Sequence, residues 1–340
     1  MKPLIVIGTR PEAIKLAPVC RVLPEATVMS TEQAPELIKA VLDYFGVAYK
    51  KLGACYNPNQ NLCQSVTDRV RTLSAMLAID KYSCIIAQGD TTSVAAAAMA
   101  AFYNRIPFVH VEAGLRTYRE IPYPEEFNRR VCALAARINC APTVRAAQNL
   151  AGEKVPGQIV VTGNTIVDAI QYTLDNADDS PTIPTVLVTC HRRENFGEAF
   201  ESVCNAVCQL AAAHREYRFV WAVHPNPNAQ PKAMPGVELI EPPAYPQWVR
   251  MMHKASLILT DSGGIQEEAA ILGKPCLVMR DLTERPEAVE CGACRMVGTE
   301  TLAIIEAVNA ALSGEAWSMK PHPFGDGKAA ERIAELVRGL

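Results

Sequence analysis

The chain has 340 residues, enough for two ordinary α/β domains with a core in each. Its 33 Lys and Arg against 36 Asp and Glu, a net charge of −3, leave no basic footprint for nucleic acid. With 49% hydrophobic and 20% charged residues, a disordered charged tail is excluded as well.

No apolar run approaches the roughly 18 residues of a membrane span. The longest, residues 94–103, is mostly alanine, and residues 4–7 are too short for a signal-peptide core. A cytoplasmic protein is expected, with no membrane or nucleic-acid partner. Its twelve cysteines are then read as small buried thiols and not as a disulfide framework.

Short apolar runs alternate with longer segments of helical period, the pattern of parallel α/β sheets. From the N-terminus, strands are predicted over residues 4–7, 26–29, 84–87, 107–111 and 158–161, and helices over 13–23, 35–45, 62–77 and 93–103. A polar stretch over residues 175–184 reads as a linker. Strands follow over 185–189, 219–223, 237–240, 257–260 and 275–279, with helices over 200–214, 265–272, 301–312 and 328–338. The fold class is α/β, two Rossmann-like domains facing a cleft. The N-terminal domain takes residues 1–174 plus a C-terminal helix within 326–340; the second takes 185–325.

In open α/β sheets ligands bind beyond the carboxyl ends of the strands. Strand 4–7 ends in Gly8-Thr-Arg-Pro-Glu-Ala-Ile-Lys15, where Pro11 suits a first helical turn. Arg10 and Lys15 there are either an anion site or two solvated charges. The segment is not GxGxxG, so nicotinamide binding has no support. Three carboxylates follow: Asp90 in QGDTTS, Glu112 in HVEAGLR, and Glu125 in PYPEEFNRR. Asp90 and Glu125 are also explained as dipole-stabilised helix N-terminal charges. Glu112 directly follows an apolar strand and is a candidate for proton transfer or cation stabilisation.

In the second half, Cys190-His191-Arg-Arg-Glu-Asn195 and His224-Pro-Asn-Pro-Asn228 each follow a strand. A histidine flanked by arginines suits an anion; the spacing supports no metal. Asp261-Ser262-Gly263-Gly264 opens a helix carrying Glu267 and Glu268. The two glycines let backbone amides approach a phosphate, and a carboxylate one turn on suits ribose hydroxyls. The competing reading is an Asp/Ser helix cap. Cys291-Gly-Ala-Cys294 lacks a partner pair and reads as two structural thiols, and Cys204 and Cys208, one turn apart, as packing.

Nine segments in order, GTRPEAIKLAP, GDTTS, HVEAGLRT, PYPEEFNRR, VTGNTIVDA, HRREN, HPNPN, TDSGGIQEEA and MRDLTERPEAV, span essentially the whole chain. Together they resemble the non-hydrolysing UDP-N-acetylglucosamine 2-epimerases. The resemblance implies a GT-B arrangement, interconversion of UDP-GlcNAc and UDP-ManNAc without a cofactor, a UDP-sugar partner and a homodimer. It further implies Asp90, Glu112 and Glu125 as catalytic carboxylates, with His191 near the diphosphate and reacting sugar. Arg10, Lys15, Ser262, Gly263, Gly264, Glu268 and Arg285 would bind UDP, Glu268 on the ribose, and Arg129 would support the sugar-side charges.

This chain departs from the family's pattern in places. Gln88 stands where His is common, the loop before Glu125 is one residue shorter, and Pro243 replaces a polar residue near the uracil site, with Trp248 keeping an aromatic. In the segment that usually reads Gly-Gln-His-x-x-Met in members activated by a second UDP-GlcNAc, Gln33 is kept but Ala34 replaces the His. Arg192 and His224 match other parts of that second site. Weak or absent allosteric activation is the expectation. A hydrolysing relative, a glycosyltransferase and a silent nucleotide-sugar sensor are the rival readings.

Overall fold

The computed structural model describes residues 2–31, 35–53, 60–175, 183–232, 234–283, 285–314 and 317–340. The chain divides into two units, Met1–Gln171 with Phe324–Leu340, and Tyr172–Pro323. Residues 176–182 of the expected linker, and Gln33 and Ala34, lie outside the described residues.

The first unit is built on β1 (Lys2–Ile7), β2 (Thr27–Ser30), β3 (Lys50–Lys51), β4 (Tyr82–Gln88), β5 (Phe108–Val111), β6 (Ile138–Ala141) and β7 (Gln158–Val161). These form one parallel sheet in the order β3-β2-β1-β4-β5-β6-β7. The run Leu4, Ile5, Val6, Ile7 is buried throughout, as a parallel strand covered on both faces requires. Ile5 lies opposite both Val28 and Ile86, and Val109 opposite both Ile86 and Ile138. The helices are α1 (Arg10–Val22), α2 (Pro35–Tyr44), α3 (Leu62–Ile79), α4 (Thr92–Tyr103), α5 (Glu125–Ala135), α6 (Val144–Gly152) and α7 (Thr165–Leu174).

Alanine-rich α4 is buried on nearly every side. Its small side chains let it lie against the start of the chain, where a Cβ on Gly8 would fall 2.3 Å from Ser93 Oγ. No other residue fits at position 8. The core around α4 includes Phe108, Leu73 and Ile85, and burial of a side chain such as Phe108 contributes about 1.5–3 kcal/mol.

The second unit contains β8 (Thr185–Thr189), β9 (Arg218–Ala222), β10 (Val237–Ile240), β11 (Leu257–Thr260), β12 (Cys276–Val278) and β13 (Cys294–Met296). Their order is β10-β9-β8-β11-β12-β13, again all parallel. Helices α8 (Glu198–Ala213), α9 (Tyr245–Lys254), α10 (Gly263–Ile271), α11 (Pro286–Glu290) and α12 (Thr301–Leu312) connect them. The fully buried Trp221 and Phe219 anchor this core, Phe200 meeting Trp221 edge-on at 5.8 Å.

The last helix, α13 (Ala329–Arg338), belongs to the first unit and packs on α1. Its N-terminal Ala330 N–H donates to Asp168 Oδ1 at 2.9 Å, and Arg338 Nη2 donates to the Val22 carbonyl at 2.8 Å. In each unit the strand order reverses beside the first strand, between β1 and β4 and between β8 and β11. These are the topological switch points where α/β sheets bind ligands.

Candidate active site

At the first switch point, Thr9 caps α1 by accepting the Glu12 N–H at 3.4 Å, and Pro11 occupies the first turn. Arg10 is half-buried as the first residue of the helix. Lys15 Nζ donates to Glu112 Oε2 as a buried ion pair.

Glu112 itself takes a left-handed backbone (φ 62°) immediately after β5, a conformation that L side chains rarely adopt. Gln88 Nε2 donates to the same Oε2 at 3.0 Å. The Gln88 that departs from the family pattern therefore supports Glu112 directly. Beyond it, Arg116 forks onto Glu153 with two bonds of 2.8 Å and fixes the following loop.

Asp90 follows Gly89, which has φ 87°. Its Oδ2 accepts Arg129 Nε at 2.8 Å and its carbonyl accepts Asn128 Nδ2 at 2.8 Å. From behind, His110 bonds the Gly89 carbonyl through Nε2 at 2.7 Å. Burial pushes the His110 imidazole down to about 4 against that bond, so it is neutral and donates there. Glu125 opens α5 half-buried, while its neighbour Glu126 is buried. Burial favours the Glu126 acid, but N–H bonds from Thr117 and Tyr118 together with Arg129 outweigh it and hold the carboxyl below its usual range. Asp90, Glu126 and Arg129 thus meet at the first turns of α5, which Glu125 opens, and Lys15 and Glu112 meet beside β4.

Glu12 was not among the sequence candidates. It is 2% exposed and accepts Gly8 N–H at 2.6 Å, Thr9 Oγ1 at 3.0 Å and Thr91 Oγ1 at 2.7 Å. Burial pushes its carboxyl up to about 7; the nearby charge of Asp90 adds to this and the hydrogen bonds oppose it. The spacing Thr9-x-x-Glu12 is the signal that marks it, a helix-start pattern.

In the second unit the loops after β8 and β11 lie side by side. Ser262 precedes α10 with no side-chain cap bond, and Asp261 turns away from the helix, so neither residue caps it. The amides at the start of α10 are left to a ligand or solvent. A Cβ on Gly263 would stand 3.6 Å from Arg192 Nη2 and 3.8 Å from Arg285 Cγ, so two guanidinium side chains flank that helix start. Arg285 Nε also pairs with buried Glu267 at 3.0 Å. Glu268 is buried one turn further on.

Asp261 accepts the backbone N–H groups of His191 at 2.8 Å and Arg192 at 2.7 Å. The His191 ring, partly exposed, stacks on His224 with centroids 5.0 Å apart. Sequence reasoning missed Asp261 as the anchor of the HRREN loop. Its place at the end of β11 facing β8 is the signal.

Among the described residues eleven cysteines are free thiols. Burial pushes Cys20 and Cys140 up to about 12, outside the range of reactive thiolates. Cys291 and Cys294 donate to the carbonyls of Ala288 and Gln266, and Cys204 and Cys208 pack on the second core.

The profile of the family described as UDP-N-acetylglucosamine 2-epimerase matches residues 23–338. The UDP-N-acetylglucosamine 2-epimerase of Escherichia coli K12 is 41% identical over 372 aligned positions, covering 99% of this chain and 98% of that one. The chain belongs to the UDP-N-acetylglucosamine 2-epimerase family. It is by class an isomerase. The Neisseria meningitidis UDP-GlcNAc 2-epimerase, solved bound to UDP-GlcNAc, superposes with a TM-score of 0.92 at 38% identity over the whole of both chains. The Methanocaldococcus jannaschii UDP-GlcNAc 2-epimerase, solved with UDP-GlcNAc and UDP, gives 0.86 at 31% over the whole of both. A glycosyltransferase at 14% identity and TM-score 0.62 shares the fold, the GT-B type of α/β architecture common to the family.

Proposed function

We propose that the chain interconverts UDP-GlcNAc and UDP-ManNAc by eliminating UDP to a 2-acetamidoglucal and adding it back, with no cofactor or metal. The observation that carries this reading is Glu112, a buried carboxylate on left-handed backbone, held by Lys15 and Gln88 in the same unit as Asp90 and Glu125. The family's Neisseria member, solved with UDP-GlcNAc, supports the substrate.

The C2–H of the sugar is not next to a carbonyl and is scarcely acidic. When the C1–O bond breaks, its electron pair leaves on the β-phosphate of UDP and C1 becomes oxocarbenium-like. A carboxylate then takes the C2 proton and the C1–C2 double bond forms. A proton delivered to the opposite face of C2, with return of UDP to C1, gives the epimer. Inversion therefore needs acid–base groups on both faces, supplied from Asp90, Glu112 and Glu125, with Arg129 balancing their charge.

UDP must stay bound while it is detached. The reading assigns that to Arg10, Arg285, Ser262, Gly263 and Gly264, with Glu268 on the ribose and His191 at the diphosphate. Lys15 is assigned to UDP by the resemblance, and its ion pair with Glu112 supports a further role in holding that carboxylate.

The product would be activated ManNAc for surface polysaccharide synthesis, made in the cytoplasm. Phe102, Tyr103, Phe127 and Leu134, all more than half exposed on the neighbouring helices α4 and α5, support a homodimer through that face. With Ala34 in place of the usual His, initial rates in UDP-GlcNAc are expected to be hyperbolic.

Incubation with UDP-GlcNAc in D₂O, followed by NMR, tests the reading. UDP-ManNAc carrying deuterium at C2 is the expected product. Release of free ManNAc identifies a hydrolase instead, transfer only to an acceptor a glycosyltransferase, and no turnover a sensor.

A further inference from the structure

Asp261 is wholly buried at the second switch point, and its two oxygens are used very differently. Oδ2 accepts three donors: His191 N–H at 2.8 Å, Arg192 N–H at 2.7 Å and Asn195 Nδ2 at 3.1 Å. Oδ1 is buried without a hydrogen bond and lies 3.5 Å from His191 Nδ1. An unsatisfied buried carboxylate oxygen is costly unless something supplies a proton to it. Among the contacts of the described residues, that imidazole nitrogen is the donor beside Oδ1, while the Cys190 thiol also bonds this carboxylate.

The ring is constrained from a second side. His224 stacks on it with planes 14° apart, and His224 is itself fixed because its Nδ1 accepts the Asn226 N–H at 3.1 Å. Burial holds free His191 below the ordinary histidine range; Asp261 opposes this, and His224 and Arg192 reinforce it.

We infer that Asp261 is a positioning residue for the reaction, holding His191 with Nδ1–H toward Oδ1 so that Nε2 faces outward. This rests on the reading that His191 meets the diphosphate. The free protein then carries neutral His191 as the Nδ1–H tautomer. When the diphosphate binds, its negative charge and Asp261 favour the imidazolium, which donates Nε2–H to a phosphate oxygen. As the C1–O bond breaks, that bond strengthens because charge accumulates on the leaving UDP. The proton on Nε2 comes from solvent and stays on the imidazole throughout. The logic is that of a triad aspartate, which fixes a tautomer without itself being protonated.

Asp261→Asn tests this, because three donors on one oxygen position force the amide oxygen there. The amide NH₂ must then face His191 Nδ1, imposing the Nε2–H tautomer. ¹⁵N NMR of histidine-labelled protein, with the His191 signal assigned by its loss in His191→Asn, should show Nδ1–H in the wild type and Nε2–H in Asp261→Asn. The variant should lose about 10²–10⁴-fold in kcat, with its Kd for UDP changed by less than about tenfold.

An Nε2–H tautomer in the wild type overturns the inference, and that spectrum decides even where Asp261→Asn fails to fold. So does a switched tautomer with kcat retained. Wild-type rates in His191→Asn would instead overturn the placement of His191 at the diphosphate, while the wild-type spectrum still judges Asp261.

Discussion

The two units share a strand order around their switch points and furnish them with opposite chemistry. In the first, carboxylates follow the strand ends and are held by cations and an amide: Lys15 and Gln88 on Glu112, Arg129 on Asp90. In the second, Asp261 is turned inward onto the backbone of the facing loop, and beside it lie a helix start flanked by Arg192 and Arg285 and a histidine ring. Under the proposed function, the same topology serves proton transfer where its acids are held by cations and amides, and anion binding where its acid holds the loop. A switch point fixes where chemistry occurs and leaves its sign to the side chains.

The largest effect that separates the two regions is expected from Lys15. Lys15→Met removes the cation behind Glu112 and should lower kcat by about 10²-fold. KM for UDP-GlcNAc should change less. A large rise in KM with kcat retained would leave Lys15 to UDP binding alone, as the family resemblance implies, and would blur the comparison.

Arg285→Ala addresses the other side. Loss of one guanidinium at the start of α10 should weaken UDP about 10-fold, or about 1.4 kcal/mol, by calorimetry. C2 exchange at saturating substrate should persist.

The smallest effect is in stability. Folded Glu12 keeps its proton up to about 7 and unfolded Glu12 loses it near 4.5, so its contribution is full below 4.5 and falls as pH rises between those values. Folded His110 stays neutral down to about 4 while unfolded His110 titrates near 6.5, so its contribution grows with pH over that interval and is lost as pH falls. In the overlap, pH 4.5 to 6.5, the native and unfolded chains bind equal numbers of protons at this pair, and the slopes cancel. Glu12→Gln should unmask the His110 slope, stability rising by about 1.4 kcal/mol per pH unit in urea titrations. A Glu12→Gln curve parallel to the wild type would show that Glu12 is ionised in the fold.

The strand-end junctions were legible because apolar runs end sharply in glycine, proline and charge: β1 before Gly8, β5 before Glu112, β11 before Asp261. Elements without that contrast escaped. Strand β3 is two exposed lysines, β6 carries buried Asn139 in mid-strand, and β13 places Arg295 between Cys294 and Met296. Helices α6, α7, α9 and α11 were likewise unpredicted; in α9 a proline-containing start without a polar cap conceals the boundary. Within the site, residues that point outward were recognisable by type and position. Glu12 and Asp261 were marked only by position, as a helix-start spacing and a strand end, since the donors that surround each oxygen are not encoded there.

The proposed division, proton transfer in the first unit and UDP held chiefly by the second, is tested most directly by Glu112→Gln, measuring UDP affinity and C2 deuterium exchange on the same preparation. Exchange should fall by about 10³-fold or more, with Kd for UDP within about twofold of the wild type. Retained exchange, or loss of UDP binding together with exchange, would contradict the division.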